Sequence, residues 1–187
     1  MDARTIDLPA SLAPLVQGYA WRRAQEGESG ADVYHLSHHS SGQDLFLKHG
    51  QGPVSEELAA EMARLQWLHE YLPVPELREF TASPGNAWML TAALPGQAAF
   101  AVLENDPGAA ESAVPAIARF LRRLHSIPIE HCPFHADHPT RLAEARQRME
   151  AGLVDTSDFD EEHAGWSAQQ VWTEMTELLP IAVDPVV

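Results

Sequence analysis

Three features in the first hundred residues could together hold a phosphorylated ligand. Residues 27–30 (Gly-Glu-Ser-Gly) form a glycine-bearing loop, residues 45–48 (Leu-Phe-Leu-Lys) form an apolar run that ends in a lysine, and Glu61 lies on the apolar side of a helical pattern. Glycines let backbone N–H groups approach a phosphate, and a lysine ammonium binds phosphate as a point charge. A carboxylate beside that lysine would hold the ammonium in place. The order of these parts therefore points to nucleotide binding.

Phe46 and Lys48 are two residues apart, so on a strand their side chains point to the same face. An aromatic ring and an ammonium on one face could contact the base and the phosphates of one nucleotide. The alternative is an ordinary strand whose lysine faces solvent.

Glu61 falls three residues after Leu58 and four before Leu65, and this spacing places it on the same helical stripe. A buried carboxylate needs a partner, because leaving one charge of a buried pair alone costs about 3–5 kcal/mol. Lys48 is one candidate and Arg64, at i+3, is another. A glutamate at the edge of the stripe that reaches solvent is the third possibility.

The loop that contains Ser29 and Gly30 is not a Walker loop, because no Gly-Lys-Ser/Thr follows its glycines. It also lacks the three glycines of the protein-kinase loop. By itself it is more typical of an ordinary hairpin turn than of a phosphate-binding loop.

The surrounding pattern predicts an α+β architecture with two lobes. Strand patterns cover residues 18–25, 31–36, 45–48, 77–81 and 87–92, and one helix from about Glu56 to Glu70, with Ser55 as N-cap, interrupts them. After Gly96 the pattern is helical, with apolar stripes near residues 114–124, 142–149 and 171–178. We therefore predict a nucleotide-binding N-lobe over residues 1–96 and a partial helical C-lobe over residues 97–187.

Charge and composition argue against some classes of binding partner and indicate a cellular compartment. The 187 residues carry 12 Lys+Arg against 27 Asp+Glu, a formal net charge of −15. Such a balance argues against nucleic acid and anionic membranes, and it suits a cationic small molecule, although it also simply favours solubility. The single cysteine, Cys132, and an N-terminus without an apolar signal segment indicate a cytoplasmic protein, and no apolar run is long enough to span a membrane.

The motifs taken together resemble the bacterial aminoglycoside 3′-phosphotransferases, which have a protein-kinase-like fold. The resemblance rests on Gly-Glu-Ser-Gly-Ala-Asp-Val-Tyr, Leu-Phe-Leu-Lys-His-Gly, Trp-Met-Leu-Thr-Ala-Ala-Leu-Pro-Gly, Leu-Arg-Arg-Leu-His-Ser-Ile-Pro, His-Cys-Pro-Phe and Gly-Leu-Val-Asp-Thr-Ser-Asp-Phe-Asp-Glu-Glu-His. It extends over nearly the whole chain. It implies ATP-dependent phosphorylation, with Mg²⁺, of aminoglycosides of the kanamycin and neomycin class, which confers resistance to them.

The resemblance also implies residue roles on the nucleotide side. Lys48 would hold the α- and β-phosphates, Glu61 would position Lys48, and Phe46 would stack on adenine. The backbone around Ser29 and Gly30 would cover the β-phosphate. The backbone of Ala92 and Leu94 would form the hinge that hydrogen-bonds the adenine edge.

An acidic segment follows the second stripe of the C-lobe and resembles the family's antibiotic-binding loop; its carboxylates are Asp155, Asp158, Asp160, Glu161 and Glu162. Carboxylates facing one cleft would bind the ammonium groups of an aminosugar. A solvated acidic loop between helices is the alternative.

Residues 131–138 combine histidines, Cys132 and Asp137, but their spacing matches no standard zinc pattern, so we predict no metal there. In the family, a His-Gly-Asp segment supplies the catalytic aspartate, and residues after it hold magnesium. No His-Gly-Asp occurs in these 187 residues. The sequence as given is therefore predicted to lack the catalytic aspartate and the metal ligands, to be inactive, and to expose unpaired C-lobe stripes that could cause non-specific self-association.

Two other functions stay open on the sequence. One is a different small-molecule phosphotransferase with the same kinase-like fold. The other is a non-catalytic nucleotide-binding fragment.

Overall fold

A computed structural model describes residues 7–24, 30–38 and 42–178. Its five strands form one antiparallel sheet in the order β1-β2-β3-β5-β4. The strands are β1 (Tyr19–Arg23), β2 (Asp32–His38), β3 (Leu45–Gln51), β4 (Leu77–Ser83) and β5 (Asn86–Ala92). The helices are α1 (Pro53–Leu68), α2 (Ala99–Asn105), α3 (Ala110–His125), α4 (His138–Glu150) and α5 (Ala168–Glu177), with 3-10 turns at Pro107–Ala109, Ile129–His131 and Thr156–Asp158. The α+β class with a strand-rich first part and a helical second part is confirmed.

The central strand β3 separates two apolar layers because its side chains alternate between the faces of the sheet. Leu45 and Leu47 are buried on one face, whereas Phe46 and Lys48 lie on the other and are half-buried. The first face joins Leu36, Trp88 and Leu90 of the neighbouring strands.

The first face is covered by the segment that precedes β1. Leu12, fully buried, and Val16 belong to the same core cluster as Leu47 and Leu90. This segment is built of turns and has neither a period of two nor one of 3.6. The sequence patterns did not predict that it contributes to the core.

The second face is covered by α1. Leu58 packs there with Ala87 and Met89 of β5, and Met62 and Leu65 extend the contact along the helix. Helical spacing of these apolar residues explains why one side of α1 lies on the sheet.

The start of α1 corrects one sequence prediction. The helix begins at Pro53 with Gly52 as N-cap, and Ser55 lies inside its first turn, where its hydroxyl donates to the Gly52 carbonyl at 2.6 Å. Proline suits the first helical position because that N–H would be unpaired anyway, and the φ of +56° at Gly52 favours glycine. Gly50 lets this turn approach β3, because a Cβ there would lie 2.7 Å from the Val54 carbonyl oxygen.

The chain divides into two compact units, Met1–Phe120 and Leu121–Val187. The first holds the sheet and α1, and the second holds α4 and α5, which contact each other. The last strand ends at Ala92 and all later regular elements in the described residues are helical, but the lobe boundary placed after Gly96 stays a prediction.

The helices of the second unit begin and end with the expected cap residues. Asp137 caps α4 by accepting from the Thr140 N–H, and Ser167 forms a capping box with Gln170 at the start of α5. Gly152, with φ +67°, follows the C-cap residue Ala151 of α4, a position where glycine is favoured.

The apolar stripe of α3 is largely at the surface. Val114, Ile117 and Leu121 are 58%, 45% and 43% exposed. No helix in the described part of the chain combines the length and the apolar character needed to cross a membrane.

Candidate functional site

Lys48 and Glu61 form an ion pair between β3 and α1. The Lys48 Nζ donates to Glu61 Oε1 at 2.6 Å, and the two side chains are 28% and 38% exposed. Of the partners that the sequence left open for Glu61, the structure therefore selects Lys48. Leu58, one turn earlier on α1, is buried against the sheet. Glu61 is partly exposed, so the ion pair lies at the edge of the apolar stripe.

This geometry fixes one ammonium on the α1-facing side of the sheet. An ammonium has three N–H donors, and Glu61 Oε1 accepts from one of them. No second acceptor contacts this ammonium among residues 7–24, 30–38 and 42–178, so its other donors can bind a ligand. Lys48 is also the only lysine in the 187-residue sequence, since the other cations among its 12 Lys+Arg are arginines.

Phe46 lies on the same face as Lys48, as predicted from strand alternation. It pairs across the sheet with His35 on β2 and Thr91 on β5, and the His35 ring centroid lies 5.0 Å from the Phe46 centroid at an interplanar angle of 43°. The ring is half-buried, so one side of it is covered by neighbours and part of it remains accessible.

His35 and Asp44 are neighbours of this face that the sequence patterns missed. His35 Nε2 lies 3.0 Å from Asp44 Oδ2, and the Asp44 carbonyl accepts from the Ala93 N–H at 2.8 Å. Asp44 thereby links β2 to the segment after β5. The strand register brings His35 and Asp44 together. Their spacing along the chain does not indicate this contact.

The backbone after β5 shows which hinge groups are free to contact a base. The Ala92 N–H donates to the Glu76 carbonyl at 2.9 Å, and Ala93 donates to Asp44. The Leu94 N–H makes no backbone hydrogen bond among the residues that the structure describes, and Leu94 is 51% exposed. Ala92 could therefore offer only its carbonyl, whereas Leu94 could offer its N–H.

Of the two loop residues predicted to cover a phosphate, Ser29 lies outside the described residues. Gly30 is described, with φ +71°, and a Cβ there would meet Val54 Cγ2 at 3.3 Å. Both the backbone conformation and the close approach to the start of α1 favour glycine at this position.

The acidic segment of the second unit divides into two kinds of carboxylate. Asp155 accepts from the N–H of Ser157 at 2.9 Å and from its hydroxyl at 2.6 Å, and these bonds lower the pKa of Asp155. Asp160 accepts from His163, whose side-chain and backbone hydrogen bonds lower the pKa of Asp160. Both carboxylates are thus ionised and locally held.

The other three carboxylates of the segment, Asp158, Glu161 and Glu162, are exposed. They form no side-chain hydrogen bond or ion pair with any other residue of the described ranges. They are the carboxylates of this segment with most freedom to meet a cation.

The histidine- and cysteine-containing stretch before α4 has local structural roles. Asp137 is the N-cap of α4, and the Cys132 thiol lies 3.6 Å from the Phe134 carbonyl oxygen. Nowhere in residues 7–24, 30–38 or 42–178 do three or more His, Cys, Asp or Glu side chains gather in a way that could hold a metal ion.

Comparison with known proteins agrees with the resemblance seen in the motifs. The sequence profile of the phosphotransferase enzyme family matches residues 21–187. Two similar relatives are aminoglycoside 3′-phosphotransferases, one of Escherichia coli and one of Salmonella typhimurium. The sequence identity to each is 49%, and each alignment covers 96% of this chain.

A similar fold occurs in the crystal structure of an aminoglycoside-3′-phosphotransferase of type VIII, with a TM-score of 0.80 and 31% identity over 92% of this chain. The chain spans 66% of the length of the two curated relatives and 63% of that solved chain. With its kinase-like sheet, its paired Lys48 and Glu61 and a family match over most of its length, this chain belongs to the phosphotransferase enzyme family.

Proposed function

We propose that this chain binds ATP on the α1-facing side of its sheet and an aminoglycoside at its acidic segment, as part of an ATP-dependent aminoglycoside O-phosphotransferase. The observation that carries the proposal is the 2.6 Å contact between Lys48 and Glu61. Phosphoryl transfer in kinase-type enzymes depends on positioning charge, and a lysine held by a helix carboxylate is a recurring part of that arrangement.

On the nucleotide side, the proposed contacts follow from what each group can offer. Lys48 would donate to the α- and β-phosphates while it stays bonded to Glu61, and Phe46 would stack on the base. The Ala92 carbonyl would accept from the base edge and the Leu94 N–H would donate to it. The backbone at Ser29 and Gly30 would cover the β-phosphate, since glycine permits close approach of N–H groups.

On the substrate side, the proposal rests on carboxylates that are exposed and unshared. Asp158, Glu161 and Glu162 would bind ammonium groups directly, while Asp155 and Asp160 would contribute charge from fixed positions. The net charge of −15 would draw a polycation toward the protein. The curated relatives named above are aminoglycoside 3′-phosphotransferases, which makes drugs of the kanamycin and neomycin class the proposed substrates.

No residue of this sequence is proposed as the catalytic base, because it contains no His-Gly-Asp segment. The resemblance implies Mg²⁺ beside the nucleotide phosphates. The described residues offer no set of three metal-ligating side chains, so they do not fit that ion.

Removing the charge of Asp158, Glu161 and Glu162 together (D158N/E161Q/E162Q) is expected to weaken kanamycin binding about tenfold or more. Each exposed ion pair contributes up to about 1 kcal/mol, and the three act on one polycation. Isothermal titration calorimetry of kanamycin with both proteins measures the effect. The matched control is E104Q/E111Q/E130Q, which removes the same charge from exposed positions outside the segment.

Equal losses in the two triple variants would mean that only the overall charge attracts the drug. Binding of an uncharged disaccharide as tight as that of kanamycin would favour a different small-molecule phosphotransferase. Nucleotide binding without any kanamycin binding would favour a nucleotide-binding fragment.

A further inference from the structure

His163 lies between two carboxylates that come from different parts of the second unit. Its Nδ1 is 2.6 Å from Asp160 Oδ1 in the acidic segment, and its Nε2 is 2.7 Å from Glu174 Oε2 on α5. The ring meets Trp166 edge-on, with centroids 5.0 Å apart at an interplanar angle of 81°, and the histidine side chain is 23% exposed.

The two short contacts require a protonated ring. Ionised carboxylates only accept hydrogen bonds, and a neutral imidazole donates only one, so bonds from both nitrogens need the imidazolium. In agreement with this, both hydrogen bonds raise the pKa of His163, and the bond to Asp160 has the larger effect. Asp160 and Glu174 are the charged groups that act on the ring from the acidic segment and from α5, and Glu177 is the next carboxylate on the same side of α5.

The contact also decides which oxygen of Asp160 is used. Oδ1 accepts from both the His163 ring and the His163 backbone N–H, the latter at 3.0 Å. Oδ2 takes part in neither bond. The Glu162 backbone N–H also lowers the pKa of Asp160. Because a carboxylate offers about four acceptor sites, Asp160 still has lone pairs on Oδ2 for a ligand.

We propose that His163 is a positioning residue for a cationic substrate: its imidazolium ties the acidic segment to α5 and holds Asp160 so that Oδ2 can accept from a substrate ammonium. This inference rests on the proposed function of the segment. The positive charge also offsets repulsion among the five neighbouring carboxylates, which would otherwise favour an open and variable loop.

The proposal has a definite pH dependence. Because the pKa of His163 is raised in the folded protein, the cross-link is complete at pH values below the ordinary histidine pKa and is lost as the pH rises through the raised value. The amines of kanamycin lose protons over part of that range as well. The comparison must therefore be made between variants at each pH and not along one titration.

The test uses kanamycin as probe and three proteins: wild type, His163→Gln and His163→Arg. At pH 6.5 we expect His163→Gln to bind about fivefold more weakly, the upper end for one exposed ion pair. Above the raised pKa the difference between wild type and His163→Gln should vanish. His163→Arg keeps the charge and can donate to both carboxylates, so it should restore binding at both pH values. His125→Gln, an exposed histidine at the end of α3, is the matched control and should bind like wild type.

A spectroscopic readout separates the cross-link from the substrate. Ring ¹⁵N chemical shifts of His163 should report an imidazolium at pH 7 that titrates above the ordinary histidine pKa, and Glu174→Gln should lower that pKa without touching the acidic segment. A His163 that titrates normally, or a His163→Gln variant that binds kanamycin like wild type at every pH, overturns this inference alone. Absence of kanamycin binding by the wild type overturns the proposed function and the substrate role of His163 together, even if the ¹⁵N signature is present.

Discussion

Replacing Lys48 with methionine is expected to weaken ATP and ADP binding by about 10–100-fold, the loss expected for hydrogen bonds to a charged group worth about 1.5–3 kcal/mol. Methionine keeps a similar length and apolar stem, so the strand face should stay packed while the ammonium is lost. Calorimetric titration with ADP measures the change, and circular dichroism checks that the variant is folded.

Two further variants test whether a loss of nucleotide affinity is specific to the Lys48 ammonium. Glu61→Gln keeps an oxygen that can accept from the Lys48 ammonium but removes its charge, so we expect a smaller loss than for Lys48→Met. Arg23→Met removes an exposed cation of β1 that lies on the sheet face opposite to Phe46 and Lys48, so it should leave nucleotide affinity unchanged. Wild-type affinity in Lys48→Met, or an equal loss in Arg23→Met, would show that the nucleotide is not held by Lys48.

Replacing Leu12 with alanine is expected to lower the free energy of unfolding by about 2–5 kcal/mol, as for other buried leucines. Leu12 is completely buried beneath β2, β3 and β5, together with Leu36, Leu47 and Leu90. Its removal would leave a cavity under the strand that carries Phe46 and Lys48. Urea denaturation followed by tryptophan fluorescence measures the loss.

Leu15 provides the matched comparison, because it lies in the same segment and is 44% exposed. Leu15→Ala should change the free energy of unfolding by less than about 0.5 kcal/mol, as for most surface substitutions. Similar losses in the two variants would mean that the segment before β1 does not cover the sheet as described.

The strand and helix order was predictable because it depends on local periodicity. Alternation placed Phe46 and Lys48 on one face, and helical spacing placed Glu61 near the packed side of α1. The choice of Lys48 over Arg64 as the partner of Glu61 was not predictable from spacing, because it depends on how α1 crosses the sheet. That crossing is set in part by Gly50, where only the absence of a Cβ allows the helix start to approach β3.

What the sequence missed depends on contacts between distant residues or on local geometry without a period. The segment around Leu12 is built of turns, so its packing left no pattern to find. Gly52 replaced Ser55 as N-cap because proline can begin a helix one turn earlier. His163 contacts both Asp160 and Glu174. Glu174 lies 11 residues after His163 in the sequence, and only the fold brings these two side chains together.

Nucleotide placement at Lys48 is tested most directly by selective acylation, because Lys48 is the only lysine of the chain. An acyl-phosphate derivative of ATP transfers its acyl group to an amine held beside the phosphates, and mass spectrometry then locates the modified residue. We expect the peptide containing Lys48 to be acylated, and excess ATP to protect it. A simple acylating reagent without a nucleotide should instead favour the α-amino group, whose pKa is ordinarily lower than that of lysine. Acylation of Lys48 that excess ATP does not reduce, or that the simple reagent produces equally well, would contradict the account.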